Sequence, residues 1–155
     1  MGSGTKRDRV VVCAYTDADY AADKQTRKSV SVPGWFVKQQ STVALSTAEA
    51  EFVAAAMGVR EVLRIKNLIE EIGFQIKIPM KLMLDNQAAI NQVENEATRS
   101  MAKHVDVKFK FVRDVNSNGI ITPVYVETKN QLADMFTKRL VAPRLAELCE
   151  KVGVH

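Results

Sequence analysis

Val10-Val11-Val12-Cys13-Ala14-Tyr15 is a short apolar run with three consecutive β-branched residues. It is too short for a helix and predicts a buried strand. Continued alternation sets Cys13, Tyr15 and Asp17 on one face of that strand. Residues 23–28 are polar and predict a loop, and Pro33-Gly34 interrupts the segment from Ser29 to Gln40, leaving room for at most two short strands. The period then changes. Phe52, Ala55, Val59, Val62, Ile65 and Ile69 recur at helical spacing. Ser46-Thr47-Ala48-Glu49 forms a capping box ahead of them, and Gly73 supplies the left-handed residue after the last turn. Met80-Lys81-Leu82-Met83-Leu84 predicts a second buried strand, with Asp85 at its carboxyl end and a short helix over about Gln87–Glu96. A helix over about Met101–Val115 stops at Asn118-Gly119. A strand over Ile120–Val126 follows, then a helical segment over Lys129–Lys138 and a terminal helix over Pro143–Val152. Strands grouped early and then separated by helices predict an α/β domain with a mixed sheet.

At 155 residues the chain fits one domain, and 46% hydrophobic with 26% charged residues excludes disorder throughout. Met1-Gly2-Ser3-Gly4 is polar, so residues 1–9 are expected to be a cloning remnant or linker and residues 10–155 the domain. No apolar run approaches the roughly 20 residues that span a bilayer. Cys13 and Cys149 lack zinc-site or disulfide-framework spacing, and no secretory signal is evident. An intracellular location, cytoplasmic or nuclear, is expected. The net charge is +4. If several acids are committed to cations, the rest of the surface is more basic than this figure, which favours a polyanionic partner.

Four acids stand in distinctive settings: Asp17 in AYTDADY, Glu51 in STAEAEF, Asp85 in LMLDNQAAI and Asp134 in NQLADMF. Their spacings are 34, 34 and 49 residues (51−17, 85−51, 134−85), so only a fold could unite them. Glu49 and Glu51 point about 200° apart around a helix; Glu49 belongs to the cap and Glu51 is left for chemistry. Each acid also has a structural reading. Asp85 could cap a helix or form an Asx turn, and Asp134 could pair with Lys138 at i+4. Carboxylates gathered closely need cations, and a set of hard oxygen ligands suits Mg²⁺ or Mn²⁺, ions that serve phosphate chemistry. Metal-assisted phosphodiester cleavage is the resulting expectation.

The strings TDADY, DKQTRKS, KQQSTVALSTAEAEF, LDNQAAI, KHVDVKFKFVRD and QLADMFTK occur in this order over roughly Tyr15 to Val154. Together they resemble the ribonuclease H domain of copia-type (Ty/copia) LTR retrotransposon polyproteins. The resemblance implies a ribonuclease H-like fold, a mixed central sheet flanked by helices. It also implies an endonuclease that cuts the RNA strand of RNA–DNA hybrids during reverse transcription, beside an attached reverse transcriptase domain. In such a site two Mg²⁺ or Mn²⁺ ions about 4 Å apart act on the phosphodiester, with Asp17 bridging them, Glu51 and Asp85 on one and Asp134 on the other. Lys103, Lys110 and Arg113, on the helix around Phe109, are candidate phosphate contacts. His104, the only internal histidine, fits a packing or capping role, and Trp35 fits the core. The family pattern is broken at SVSVPGWFVKQQS, where an early hairpin is shortened. An exposed sheet edge there could be covered by a second copy, giving a homodimer. The same loss supports an alternative reading: a catalytically impaired domain acting as a nucleic-acid-binding or protein-interaction module.

Overall fold

The computed structural model describes residues 9–19, 30–33, 38–39, 47–95 and 103–152. Its strands are β1 (Cys13–Asp19), β2 (Val30–Pro33), β3 (Lys38–Gln39), β4 (Met80–Leu84) and β5 (Ile121–Tyr125), in the spatial order β3-β2-β1-β4-β5. β1 runs antiparallel to β2 and parallel to β4; β2–β3 is antiparallel and β4–β5 parallel. The sheet is therefore mixed, as the order of elements predicts. Five helices accompany it among the described residues: α1 (Thr47–Glu71), α2 (Gln87–Glu94), α3 (Lys103–Ser117), α4 (Asp134–Thr137) and α5 (Ala142–Val152).

β1 is set by its partners. Cys13 pairs with Lys81 at the start of β4, so the strand begins there. Of the run upstream, Val10 forms only an isolated bridge to Ile76. Within β1 the side chains alternate. Ala14, Thr16 and Ala18 are buried, and Asp17 lies on the opposite face, where it is also buried. β2 pairs with β1 from Thr16 to Asp19, and β3 adds two residues outside it. The expected open edge beside the first acid is therefore absent. Four residues of β2 suffice to cover β1, and the two-residue β3 makes a very short edge. A homodimer through that edge has no support here.

α1 crosses the sheet behind β1. Phe52, Ala55, Val59 and Val62 are buried as their spacing predicts, whereas Ile65 is exposed because the helix outruns the sheet. Gly73 ends α1 at φ 92°, with its N–H donated to Glu70 O and that of Phe74 to Ile69 O, a Schellman closure. Phe52 stacks on Phe109 of α3 at a centroid distance of 3.7 Å, joining α1 to α3 within a core that includes Met80, Leu82, Leu84 and Ile121.

A feature without a sequence expectation sets how near α1 comes to β1. Ala50, Ala54 and Gly58 recur every four residues; Ala50 and Ala54 pack on Ala18, and a Cβ at Gly58 would lie 2.4 Å from Thr16 Cγ2. Gly58 and Glu51 are seven apart and share a helix face. The small-residue ridge thus brings Glu51 against β1. Gly58→Ala should lower unfolding stability by about 1–2 kcal/mol, because overpacking costs more than the roughly 1 kcal/mol gained in helix propensity. Adding Thr16→Ser, which removes the clashing methyl, should recover much of the loss in urea melts. A more stable Gly58→Ala protein would contradict this close approach.

Candidate metal centre

Asp17 leaves the middle of β1, Glu51 the first turns of α1, and Asp85 the carboxyl end of β4. Oxygen atoms from the three carboxyl groups all lie within 4.8 Å of one another. Asp85 stays available because its neighbour takes the cap: Asn86 Oδ1 accepts the N–H groups of Ala88 and Ala89 at the start of α2. Glu51 is held by a long-range contact in which the Ala18 N–H donates to Oε1 at 3.4 Å. Its Oε2 is buried with no hydrogen-bond donor among the described residues.

Asp134 lies at the start of α4, reached by a path unlike the continuous helix expected over Lys129–Lys138. A 3₁₀ turn (Thr128–Asn130) is followed by Gln131, which is fully buried. Gln131 Nε2 donates to Thr16 O at 3.0 Å, anchoring the α4 approach to β1. The helical pattern breaks here because one side chain is drawn into the sheet. Lys138, just past α4, points its Nζ at Asp134 Oδ1 (2.7 Å) and Asp17 Oδ2 (3.6 Å). The i+4 partner is present, and it links Asp134 to the triad rather than removing it.

Burial, and then the charges of Asp17 and Asp85, push the Glu51 carboxyl up from 4.5 to about 9. Burial and the Asp17 charge also raise Asp85, against the pull of Lys138. Asp134 is raised chiefly by burial, although Lys138 opposes the shift. Burial works to lower Lys138, but its contact with Asp134 and the charges of Asp17, Asp134 and Asp85 outweigh it and raise the ammonium. The field is that of crowded carboxylates short of positive charge. The donor set and the orphaned Glu51 oxygen fit a hard divalent cation at Asp17, Glu51 and Asp85. Asp17, Glu51, Asp85, Asn86, Thr128 and Lys138 line an open cleft of about 480 Å³.

Across 94% of its length the chain is 35% identical, over 156 residues, to the retrovirus-related Pol polyprotein from transposon TNT 1-94 of Nicotiana tabacum. The corresponding polyproteins from transposons RE2 and RE1 of Arabidopsis thaliana are 33% and 31% identical, each over 91% of the chain. The chain belongs to the copia-type retrotransposon Pol family. It spans 12% of the length of the tobacco polyprotein and 10% of each Arabidopsis one. No protein-family model matches it. In fold, this Pol segment resembles the N-terminal RNase H domain of a Mycobacterium tuberculosis protein, solved as a fusion with maltose-binding protein. The TM-score is 0.52 at 10% identity, covering 92% of this chain and 99% of the other. It is a ribonuclease H-like domain of Pol.

In this Pol domain three of the four acids expected to share a site meet directly, and the fourth joins through Lys138. Gly58 and Gln131 had no place in the sequence expectation, and Lys138 entered it only as an i+4 partner of Asp134. The four-residue recurrence of Ala50, Ala54 and Gly58 was a legible signal; the contacts of Gln131 and Lys138 with β1 were not. On α3, Lys110 is exposed. Arg113 bonds to the carbonyl of Asn95 at the end of α2, and its guanidinium lies 5.8 Å from the Phe109 ring centroid. This is a structural tie between α2 and α3. The side chains of Lys103 and His104 lie outside the described residues, as do Ser46, Trp35 and residues 1–8. Among the described residues no helix is long and apolar enough to cross a membrane.

Proposed function

We propose that this domain is a metal-dependent endonuclease that cleaves the RNA strand of RNA–DNA hybrids, working beside the other parts of a reverse-transcribing polyprotein. The observation that carries the reading is the triad of Asp17, Glu51 and Asp85, converging from three elements at an open cleft. Asp17, Glu51 and Asp85 would hold one Mg²⁺ or Mn²⁺, and Asp17 with Asp134 a second. Divalent ions bound there supply Lewis acidity toward a phosphodiester and a water of lowered pKa. The protein's own part is positional. β1 and α1 fix Asp17 and Glu51 through the Ala18 N–H, Asn86 relieves Asp85 of capping, and Gln131 fixes the approach of Asp134. Lys110, and Lys103 seven residues before it, are the α3 groups assigned to the hybrid backbone, where phosphate contacts position the duplex without reading sequence. Arg113 is assigned there as well, with its reach limited by the Asn95 bond. Discrimination would rest on hybrid shape and the RNA 2′-hydroxyls.

The test is a substrate panel: a labelled RNA–DNA hybrid, the same hybrid with a fully 2′-deoxy strand in place of RNA, and an RNA duplex, each with Mg²⁺, Mn²⁺ or EDTA. Cleavage confined to the RNA of the hybrid and lost in EDTA is expected. Equal cleavage of all three duplexes would point to another nuclease. Binding to the hybrid without cleavage, by folded protein, would favour the impaired binding module.

A further inference from the structure

The Lys138 ammonium occupies the Asp17–Asp134 side of the acidic cluster, 2.7 Å from Asp134 Oδ1 and 3.6 Å from Asp17 Oδ2. Asp17 and Asp134 are almost wholly buried there, with side-chain exposures of 1% and 6%, so their charge must be offset locally. Toward Glu51 and Asp85 the same ammonium acts only at longer range: it pulls on Asp85 without pairing with it, and Glu51 Oε2 is buried without a donor among the described residues. The cluster is thus divided into a half that Lys138 pairs with directly and a half that it reaches only through its field. Lys138 is 38% exposed and sits on a flexible four-carbon stem past a one-turn helix. Such a side chain can swing out to solvent once another cation takes over the charge it offsets.

We propose that Lys138 is a tethered competitor of the second divalent ion. It holds the Asp17–Asp134 half of the site together in the metal-free chain and must withdraw before that half can accept a metal, whereas the Asp17–Glu51–Asp85 half binds its ion against weaker competition. This rests on the metal-centre reading above. It makes two-ion loading sequential, with the second step weakened by exchange of one bound cation for another.

Mn²⁺ binding to the full chain, counted by electron paramagnetic resonance across a titration without nucleic acid, tests the inference. The variants are Lys138→Met, which keeps the stem and removes the charge, and Lys138→Arg, which keeps the charge. The wild type should bind one ion tightly and a second at least about tenfold more weakly. Lys138→Met should tighten the second step by about tenfold or more and leave the first within a few-fold, while Lys138→Arg should keep the second step weak. In EDTA, Lys138→Met should melt at a lower temperature than wild type and regain the difference with Mn²⁺. Two equal steps in the wild type, or a second step unmoved by Lys138→Met, would overturn the inference while leaving the metal centre standing. Absence of any ion tighter than that bound by Asp17→Asn would instead remove the metal centre, and the inference with it.

Discussion

Asp17→Asn is expected to reduce hybrid cleavage by at least about a thousandfold while leaving the fold intact. Asp17 sits at the meeting point of the site: it is within reach of Glu51 and Asp85 on one side and of the Lys138–Asp134 pair on the other. An amide keeps the shape and removes a charge from both halves, so any cation held there loses its shared ligand. A loss of about 4 kcal/mol in transition-state stabilisation corresponds to a thousandfold in rate. Stability should move the other way. In the absence of divalent ions Asp17 raises its neighbours Glu51, Asp85 and Asp134, which is the signature of repulsion. Removing that charge should raise the melting temperature in EDTA, less the part lost with the Lys138 contact. Single-turnover cleavage and thermal melts on the same preparation would show both effects. Retained cleavage would place the chemistry elsewhere.

The second large effect is in pH. In EDTA, stability should fall steadily between about pH 5 and pH 9. Glu51 has an ordinary value of 4.5 and a folded value of about 9. Below 4.5 it is protonated in both states and costs nothing. Above 9 it is ionised in both, and the whole cost of a buried anion beside Asp17 and Asp85 is present. Between these limits the folded state holds a proton that the unfolded state has released, so unfolding free energy drops by up to about 1.4 kcal/mol per pH unit for this one group. Asp85 and Asp134 shift in the same direction and deepen the slope. Lys138, raised above its ordinary 10.5, acts above this window. Glu51→Gln should flatten the dependence, and Mg²⁺ should stabilise most at the alkaline end, where the carboxylates need no proton displaced. Urea melts at pH 5, 7 and 9 would reveal it. A stability independent of pH in EDTA, or one that rises toward pH 9, would mean the carboxylates are not crowded as described.

Much of this architecture was legible because local rules and the fold agree. The Met80–Leu84 strand was bounded correctly, with an apolar run ending at an acid and a cap. α1 was announced by its period and closed by Gly73. Three of the four acids do lie together, Asp17 within β1, Glu51 near the start of α1 and Asp85 just after β4. What escaped notice depends on distant partners. Val10–Val12 look like strand, yet β1 starts at Cys13 opposite Lys81, and Val10 forms only an isolated bridge to Ile76. Residues 129–138 carry a helical pattern, but Gln131 is captured by Thr16 of β1, 115 residues away, and the helix breaks. Lys138 looked like a partner for Asp134 alone, and only the fold brings Asp17 within its reach. The shortened hairpin predicts an exposed edge, whereas β2 and β3 need only four and two residues to complete the five-strand order.

The most direct measurement is cleavage of the labelled RNA–DNA hybrid in Mg²⁺ by the wild-type chain and by Asp85→Asn, matched for folded protein. Metal-dependent cutting of the RNA strand by the wild type, with none above background in the variant, is the predicted result. Equal cutting by both would contradict a centre built on Asp17, Glu51 and Asp85, and no cutting by either would contradict the assignment of this domain as a nuclease.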